Sequence, residues 1–185
     1  MADNILTPHF RAAYVSVFRA TAVKNADGTT GKPKYSIRAC FPSGTNLSDL
    51  ENEAKAAAKD KWGDKMPKSI RSPFRKNEEL NNPIVGIGDD WTIMTFSANE
   101  DRRPGLVDAR RQDIIDEQDV YSGAWFRAQI RAFAYEQAVN RGVSFGLQNL
   151  QKVKDDDPIG GSRIAANKAF DDIETGAQSA GDLFK

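Results

Sequence analysis

Aromatic and cationic side chains alternate with small apolar ones between residues 121 and 135. Successive side chains of a β-strand point to opposite faces of the sheet, so residues two apart share a face. One face carries Tyr121, Trp125, Arg127, Gln129, Arg131, Phe133 and Tyr135, and the other carries Ser122, Ala124, Phe126, Ala128, Ile130, Ala132 and Ala134. Rings offer stacking surfaces to any base, and arginine neutralises phosphate or stacks as a cation. The first face therefore suits a single strand with exposed bases, and an amphipathic strand with solvated arginines is the alternative.

A second basic group lies between residues 63 and 90, where three prolines and no sustained period predict an extended loop. Its cations gather around one ring, that of Phe74: they are Lys65, Lys68, Arg71, Arg75 and Lys76. A mobile basic arm of this kind could close over a bound strand, and each neutralised phosphate would make binding more salt-sensitive. An ordinary solvated loop is the alternative.

The predicted nucleic-acid groove combines these two regions with one residue of a neighbouring strand. It consists of Tyr121, Trp125, Arg127, Arg131 and Tyr135 on the strand, Arg71, Phe74, Arg75 and Lys76 on the loop, and Arg38. The strand residues are chosen from alternation alone, and a bulge would exchange the two faces.

Strands predominate among the elements that must position this groove. Patterns of β-branched and aromatic residues predict strands at residues 10–23, 34–41, 91–97, 106–107, 121–135 and 143–153. The first two strands form a predicted hairpin around a turn rich in Asn, Asp and Gly. The predicted fold is mainly β, a small antiparallel barrel closed by Greek-key pairing, with one or two helices.

One helix is predicted after residue 47. Ser48 and Glu51 match a capping box, in which each side chain satisfies a backbone donor near the other residue. Its apolar stripe is Leu47, Leu50, Ala54, Ala57, Ala58 and Trp62. A second, weaker helical pattern covers residues 163–173.

Charge is divided unevenly along a chain of 185 residues that is neutral overall, with 26 basic and 26 acidic side chains. Residues 155–185 carry seven acidic and three basic side chains, a net charge of −4, which leaves +4 for the preceding part. We therefore predict one barrel domain over residues 1–160 and a flexible acidic tail over residues 161–185. The tail could compete with DNA for the basic groove and present itself to replication proteins once displaced.

The rest of the composition favours a soluble protein of a reducing cytoplasm. Cys40 is the single cysteine, and its place in an alternating strand predicts a small buried thiol. The first ten residues lack a signal-peptide pattern, and no run of eighteen apolar residues predicts a membrane span. The oligomeric state is open, a homodimer included.

Catalysis is the main alternative to binding. Eight carboxylates fall in one region, namely Asp89, Asp90, Glu100, Asp101, Asp108, Asp113, Asp116 and Glu117. A Mg²⁺-dependent nuclease or recombination enzyme would need several of them to converge on the ion. Solvated charges in turns are the ordinary explanation, so no catalytic residue, metal or cofactor is expected.

The run from Tyr121 to Gly161, YSGAWFRAQIRAFAYEQAVNRGVSFGLQNLQKVKDDDPIGG, resembles the signature of a family of phage single-stranded DNA-binding proteins. This family was first catalogued as a domain of unknown function. Supporting pieces are PKYSIRACFP at residues 33–42 and RRPGLVDARR at residues 102–111. The resemblance implies an OB-like barrel that coats single strands during phage replication or recombination, often with an acidic C-terminal tail.

The resulting hypothesis is a protein that coats single-stranded DNA with little sequence preference, by stacking and phosphate neutralisation. A Mg²⁺-dependent phage enzyme and a phage structural or assembly protein are the alternatives. Nothing in the sequence separates DNA from RNA, because no residue is identified as a reader of the 2′-hydroxyl.

Overall fold

The computed structural model describes residues 3–25, 27–159 and 170. Within them the regular structure consists of eight strands, one α-helix and two 3₁₀-helices, Asn77–Glu79 and Glu117–Asp119. The elements are β1 Asn4–Leu6, β2 Phe10–Thr21, β3 Lys34–Phe41, α1 Ser48–Trp62, β4 Arg75–Lys76, β5 Thr92–Asn99, β6 Gly105–Val107, β7 Trp125–Gln137 and β8 Asn140–Lys154. The predicted second helix and the predicted acidic tail lie outside the described residues, apart from Phe170.

Five of these strands close into a barrel in the order β2, β3, β5, β8, β7 and back to β2. The predicted OB-like barrel is confirmed, but the sheet is mixed rather than wholly antiparallel. β5 and β8 run parallel, with Phe96 opposite Phe145, and β6 also lies parallel to β8. The reason is geometric, because a ring with an odd number of strands cannot close with every neighbouring pair antiparallel.

The core lies inside this barrel and is built from alternate residues of each strand. Phe10 is completely buried and meets Phe41 and Phe96 edge-on, with ring centroids 5.6 and 5.9 Å apart. The alternation predicted for β7 is confirmed, since Phe126, Ala128, Ile130 and Ala132 are buried while their neighbours are half-buried or exposed. The strand begins at Trp125 rather than at Tyr121, because the chain turns at Gly123, whose φ is +115°.

The helix packs its predicted apolar stripe against the barrel, with Leu50 and Ala57 among the buried residues. The predicted capping box is wrong. Ser48 is already the first helical residue, and its hydroxyl donates to Oδ1 of Asn46, which also accepts from the Ser48 backbone N–H. Asn46 therefore satisfies the backbone N–H of the first helical residue, while the Glu51 N–H donates to the Leu47 carbonyl at 2.9 Å.

The long segment between α1 and β5 is mostly irregular, as predicted, yet several contacts hold it to the barrel. Phe74 packs edge-on against Phe145 at a centroid distance of 6.2 Å, and β4 pairs with β5. The Asn77 side chain is buried and exchanges hydrogen bonds with the backbone of Ile84 and Ile87. This part of the segment is thus an ordered cover rather than the free arm that the sequence suggested.

That cover creates a second, smaller apolar cluster on the outside of the barrel. It contains Ala13, Cys40, Ile84, Ile87, Ile93 and Ile159. Cys40 is completely buried there, as predicted, and burial raises the pKa of its thiol to about 12. No helix among residues 3–25 and 27–159 has the length and apolar character needed to span a bilayer.

Candidate nucleic-acid interface

The outward face of β7 runs from Trp125 to Tyr135, a span of roughly 33 Å at about 3.3 Å per residue. Both of these residues belong to the predicted groove. At its far end Tyr135 lies beside Arg71, since a Cβ added to Gly142 would meet the Tyr135 hydroxyl at 2.6 Å and the Arg71 Cβ at 3.0 Å. Backbone hydrogen bonds from Arg71 to Arg141 and from Val143 to Arg71 hold the loop at this point. One predicted loop residue and one predicted strand residue are therefore brought together.

The near end of β7 forms an aromatic and cationic cluster that we call the Trp125 corner, comprising Arg11, Tyr121, Trp125, Lys152 and Lys154. The ammonium group of Lys154 lies 5.1 Å from the centroid of the Trp125 ring, and that of Lys152 lies 5.3 Å from the Tyr121 ring. Trp91 packs against Trp125 at a centroid distance of 6.2 Å. The sequence did not predict that the two lysines and Arg11 belong to this cluster, because only the fold brings β2 and the end of β8 beside β7.

The chain's own carboxylates occupy this corner. Residues 155–157, which we call the acidic turn, follow directly after β8. The Tyr121 hydroxyl donates to Oδ1 of Asp155 at 2.7 Å, and Lys152 donates to the same oxygen at 2.7 Å. The Trp125 indole N–H donates to Oδ2 of Asp156 at 2.8 Å. The polar edges of both rings are therefore satisfied within the protein.

Arg11 ties the acidic turn to the barrel. Its guanidinium donates to the carbonyl oxygens of Gly123 and Asp157, at 3.0 and 2.7 Å, and lies 3.8 Å from the Asp156 carboxylate. The indole hydrogen bond from Trp125, followed by the backbone N–H of Asp157, holds the pKa of Asp156 below its usual range. A carboxylate in this position stays charged at neutral pH.

The backbone at Gly123 explains why the Tyr-Ser-Gly motif ends in glycine. Its φ of +115° is disfavoured for other residues, and a Cβ there would collide with the Asp157 carbonyl and with Pro158. Its N–H donates to the Ala12 carbonyl at 2.8 Å. The motif therefore lets β2, the start of β7 and the acidic turn approach one another closely.

The middle of the β7 face carries Arg127 and Arg131, which are both predicted groove residues. Arg127 is exposed and donates to Oε1 of Gln151 at 2.7 Å. Arg131 is half-buried and, with Phe133, lines a shallow groove of about 460 Å³ against Lys61 of the helix. Both side chains lie along the outward face, as alternation predicted.

The remaining predicted residues lie apart from β7, on or beside the neighbouring strands β3 and β5. Arg75 donates to the Glu79 carbonyl at 2.8 Å, and Lys76 donates to the Asp90 carbonyl at 3.0 Å. Phe74 faces the core, as described above. The structure therefore divides the predicted groove into a β7 group and a group around β3, β4 and β5.

Arg38 belongs to the second group and has an aromatic partner that sequence reasoning missed. Its guanidinium carbon lies 4.8 Å from the centroid of the Tyr14 ring, and Tyr14 is 59% exposed. Simple alternation from Phe10 and Ala12 would place Tyr14 inside the barrel. The strand is irregular between Ala13 and Ser16, and Tyr14 has a φ of +47°, which turns its ring outward.

The carboxylates that suggested catalysis do not group together. In the part of the chain that the structure describes, no three side chains of the His, Cys, Asp and Glu types form a site that could hold a metal ion. Asp108 and Asp116 instead accept hydrogen bonds from nearby backbone N–H groups, which is the ordinary role of aspartate in turns.

The closed five-stranded barrel places the protein in the class of OB-like barrel proteins. A family model described as "Enterobacter phage Enc34, ssDNA-binding protein" matches residues 3–182. The chain belongs to this family.

Known proteins resemble the chain over most of its length. The single-stranded DNA-binding protein from bacteriophage Enc34, solved in complex with single-stranded DNA, is 19% identical with a TM-score of 0.70, over 85% of this chain and 89% of that one. The single-stranded DNA-binding protein gp2.5 encoded by bacteriophage T7 is 12% identical with a TM-score of 0.62, over 84% and 93%. Putative protein p50 of Acyrthosiphon pisum secondary endosymbiont phage 1 is 29% identical over 178 residues, 88% of this chain and 90% of that protein.

Proposed function

We propose that the protein binds and coats single-stranded DNA with little sequence preference during phage DNA replication and recombination. The observation that carries the proposal is the outer surface of the barrel, where rings and permanent cations lie side by side, in a chain that belongs to a family of single-stranded DNA-binding proteins. Stacking uses the π face that every base has, and cations neutralise phosphate, so neither contact depends on sequence. No covalent step is involved.

The proposed binding surface keeps six of the ten predicted groove residues as contacts for DNA and gives Phe74 a different role. Trp125, Arg127, Arg131 and Tyr135 offer rings and cations along β7, and Arg38 and Arg75 offer cations near β3 and β5. Phe74 anchors the loop through its packing on Phe145 rather than presenting a free ring. OB-folds bind oligonucleotides through the face of their second and third strands, which here are β3 and β5.

The acidic tail is proposed to compete with DNA and to recruit replication proteins. Ile159, just before the tail, packs in the outer cluster with Ala13 of β2 and Cys40 of β3, so the chain departs close to the proposed binding face. Deleting residues 162–185 should tighten oligonucleotide binding at low salt. Equal or weaker affinity of the truncated protein would count against competition.

The proposed function is tested by fluorescence anisotropy titration of labelled dT and rU oligomers at about 50 and about 200 mM NaCl. We expect binding to dT that weakens steeply with salt, because phosphate contacts release counterions. Gel analysis of the same oligomers with Mg²⁺ should leave them intact. Shortened oligomers would favour a nuclease, and absence of any binding would favour an assembly protein.

A further inference from the structure

We infer that Tyr14 is a base-stacking platform of this barrel, with Arg38 fixed behind its ring. The inference rests on the proposed function and deepens it, because it names a contact for an unpaired base that the sequence pattern did not reveal. The ligand class is any nucleobase of a single strand.

The backbone of Tyr14 is the first observation. A φ of +47° is a genuine outlier for a bulky side chain and carries a conformational cost. Strain of this kind is usually offset by burial or by a tight network, yet the Tyr14 side chain is 59% exposed. A strained residue that holds a ring out into solvent points to a ligand for that ring.

The position of Arg38 is the second observation. Ala13 pairs with Arg38 across β2 and β3, and the guanidinium carbon lies 4.8 Å from the Tyr14 ring centroid. The cation covers one side of the ring and limits its rotation, so the exposed area belongs to the other side and the edges. A base could then stack on a ring that is already oriented, and the guanidinium would remain near enough to meet a neighbouring phosphate.

The surroundings of Tyr14 are the third observation. The next row of outward residues across β2, β3 and β5 consists of Ser16, Ser36 and Ser97, which the strand register places opposite one another. These side chains are small and polar, so they leave room for a strand of DNA to lie across the sheet. This is the face through which OB-folds bind oligonucleotides.

Three variants separate a binding role from a structural one. Tyr14→Phe keeps the ring, and we expect its dT affinity to stay within about twofold. Tyr14→Leu and Tyr14→Gly remove the ring, and we expect affinity to fall about tenfold, within the range for loss of one stacked base. Tyr14→Gly also relieves the positive φ, so its thermal midpoint should equal or exceed that of the wild type.

A second ligand tests whether the ring acts on bases. A labelled phosphodiester oligomer of the same length, made of abasic units, offers charge without stacking surfaces. We expect the Tyr14→Leu variant and the wild type to bind this oligomer equally. Equal losses on both oligomers would overturn stacking, and a lowered thermal midpoint of Tyr14→Gly with unchanged dT affinity would make the ring structural.

The outcomes also distinguish this inference from the proposed function. If the wild type binds no dT oligomer, the proposed function itself is wrong. If the wild type binds and all Tyr14 variants bind equally well, only the platform is wrong.

Discussion

Two aromatic and cationic clusters on the outside of the barrel differ in what faces them. In the Trp125 corner, the ring edges of Tyr121 and Trp125 and the cations of Arg11 and Lys152 contact the acidic turn. At Tyr14, the Arg38 guanidinium lies over a ring whose residue is 59% exposed. The residue types are alike, but the corner already holds anionic groups of the protein.

Residue chemistry alone therefore does not identify an available binding surface. A phosphate approaching the corner would have to replace carboxylates that are already hydrogen-bonded, and charge-assisted bonds of this kind are the stronger ones. A base approaching Tyr14 meets a ring that is already oriented. The following predictions test this contrast, beginning with the largest expected effect.

The strongest disruption of the corner should come from Gly123→Ala. The substituted residue would be held at a φ of +115° while its Cβ met the Asp157 carbonyl, so we expect the free energy of unfolding to fall by about 2 to 3 kcal/mol. Urea denaturation measures the change. Gly28→Ala is the matched control, since Gly28 also has a positive φ but open space around its Cβ, and it should cost about 1 kcal/mol. Equal costs would show that the acidic turn does not press on Gly123.

Removing the carboxylates of the acidic turn should increase the contribution of Trp125 to DNA binding. In a background carrying both Asp155→Asn and Asp156→Asn, the carboxylate charges are gone, while the amide oxygen introduced by the second substitution still accepts from the indole. We expect this background to bind dT oligomers more tightly, and Trp125→Ala to cost about 1 to 3 kcal/mol of binding within it. In the wild-type background the same substitution should cost less. Identical costs in the two backgrounds, measured by anisotropy titration, would contradict a closed corner.

The salt dependence of binding should show whether Arg131, midway along the β7 face, contacts a phosphate. If this guanidinium meets a phosphate, Arg131→Ala should reduce the slope of log affinity against log salt by roughly one contact. Arg19→Ala is a suitable control, because Arg19 lies in another region and pairs with Glu117 on the surface. A slope that does not change would remove Arg131 from the binding surface.

The smallest expected effect is a pH dependence of stability. The pKa of Asp156 is lower in the folded protein than its ordinary value of 3.8, so its contribution is present above that value and is lost as the pH falls through the lower folded pKa. Its side chain is 38% exposed, and solvent screening should limit the contribution to below about 1 kcal/mol. Urea unfolding at about pH 7 and about pH 3 should show a smaller acid loss for Asp156→Asn than for the wild type. Equal losses would indicate that other carboxylates account for the acid sensitivity.

Much of the fold could be predicted because its signals are local. The two-residue period of β7 and the stripe on α1 follow directly from which side chains must be buried, and both are confirmed. The strand pattern predicted a Greek-key barrel, and the resemblance around residues 121–161 implied that it is of the OB-like type. The hydrogen bonds from Ser48 to the Asn46 side chain were missed, because both residues are of types that favour a helix N-terminus.

The candidate interface was harder to predict because its contacts connect distant parts of the chain. Arg11 reaches Asp157 over 146 residues, and no local pattern predicts such a contact. In the sequence, alternation places the Tyr14 side chain on the buried side of its strand. Only the irregularity after Ala13 turns this side chain outward. Alternation identifies a face only while the strand stays regular.

During synthesis the barrel cannot close before its last long strand, β8, has been made. It pairs with β5, β6 and β7, so the edges of three strands stay unsatisfied until residues 140–154 have been added. While a ribosome is still translating this segment, the earlier strands expose unpaired backbone groups of the kind that promote aggregation. Closure of the barrel, and with it any surface that spans several strands, therefore has to wait until β8 has been synthesised.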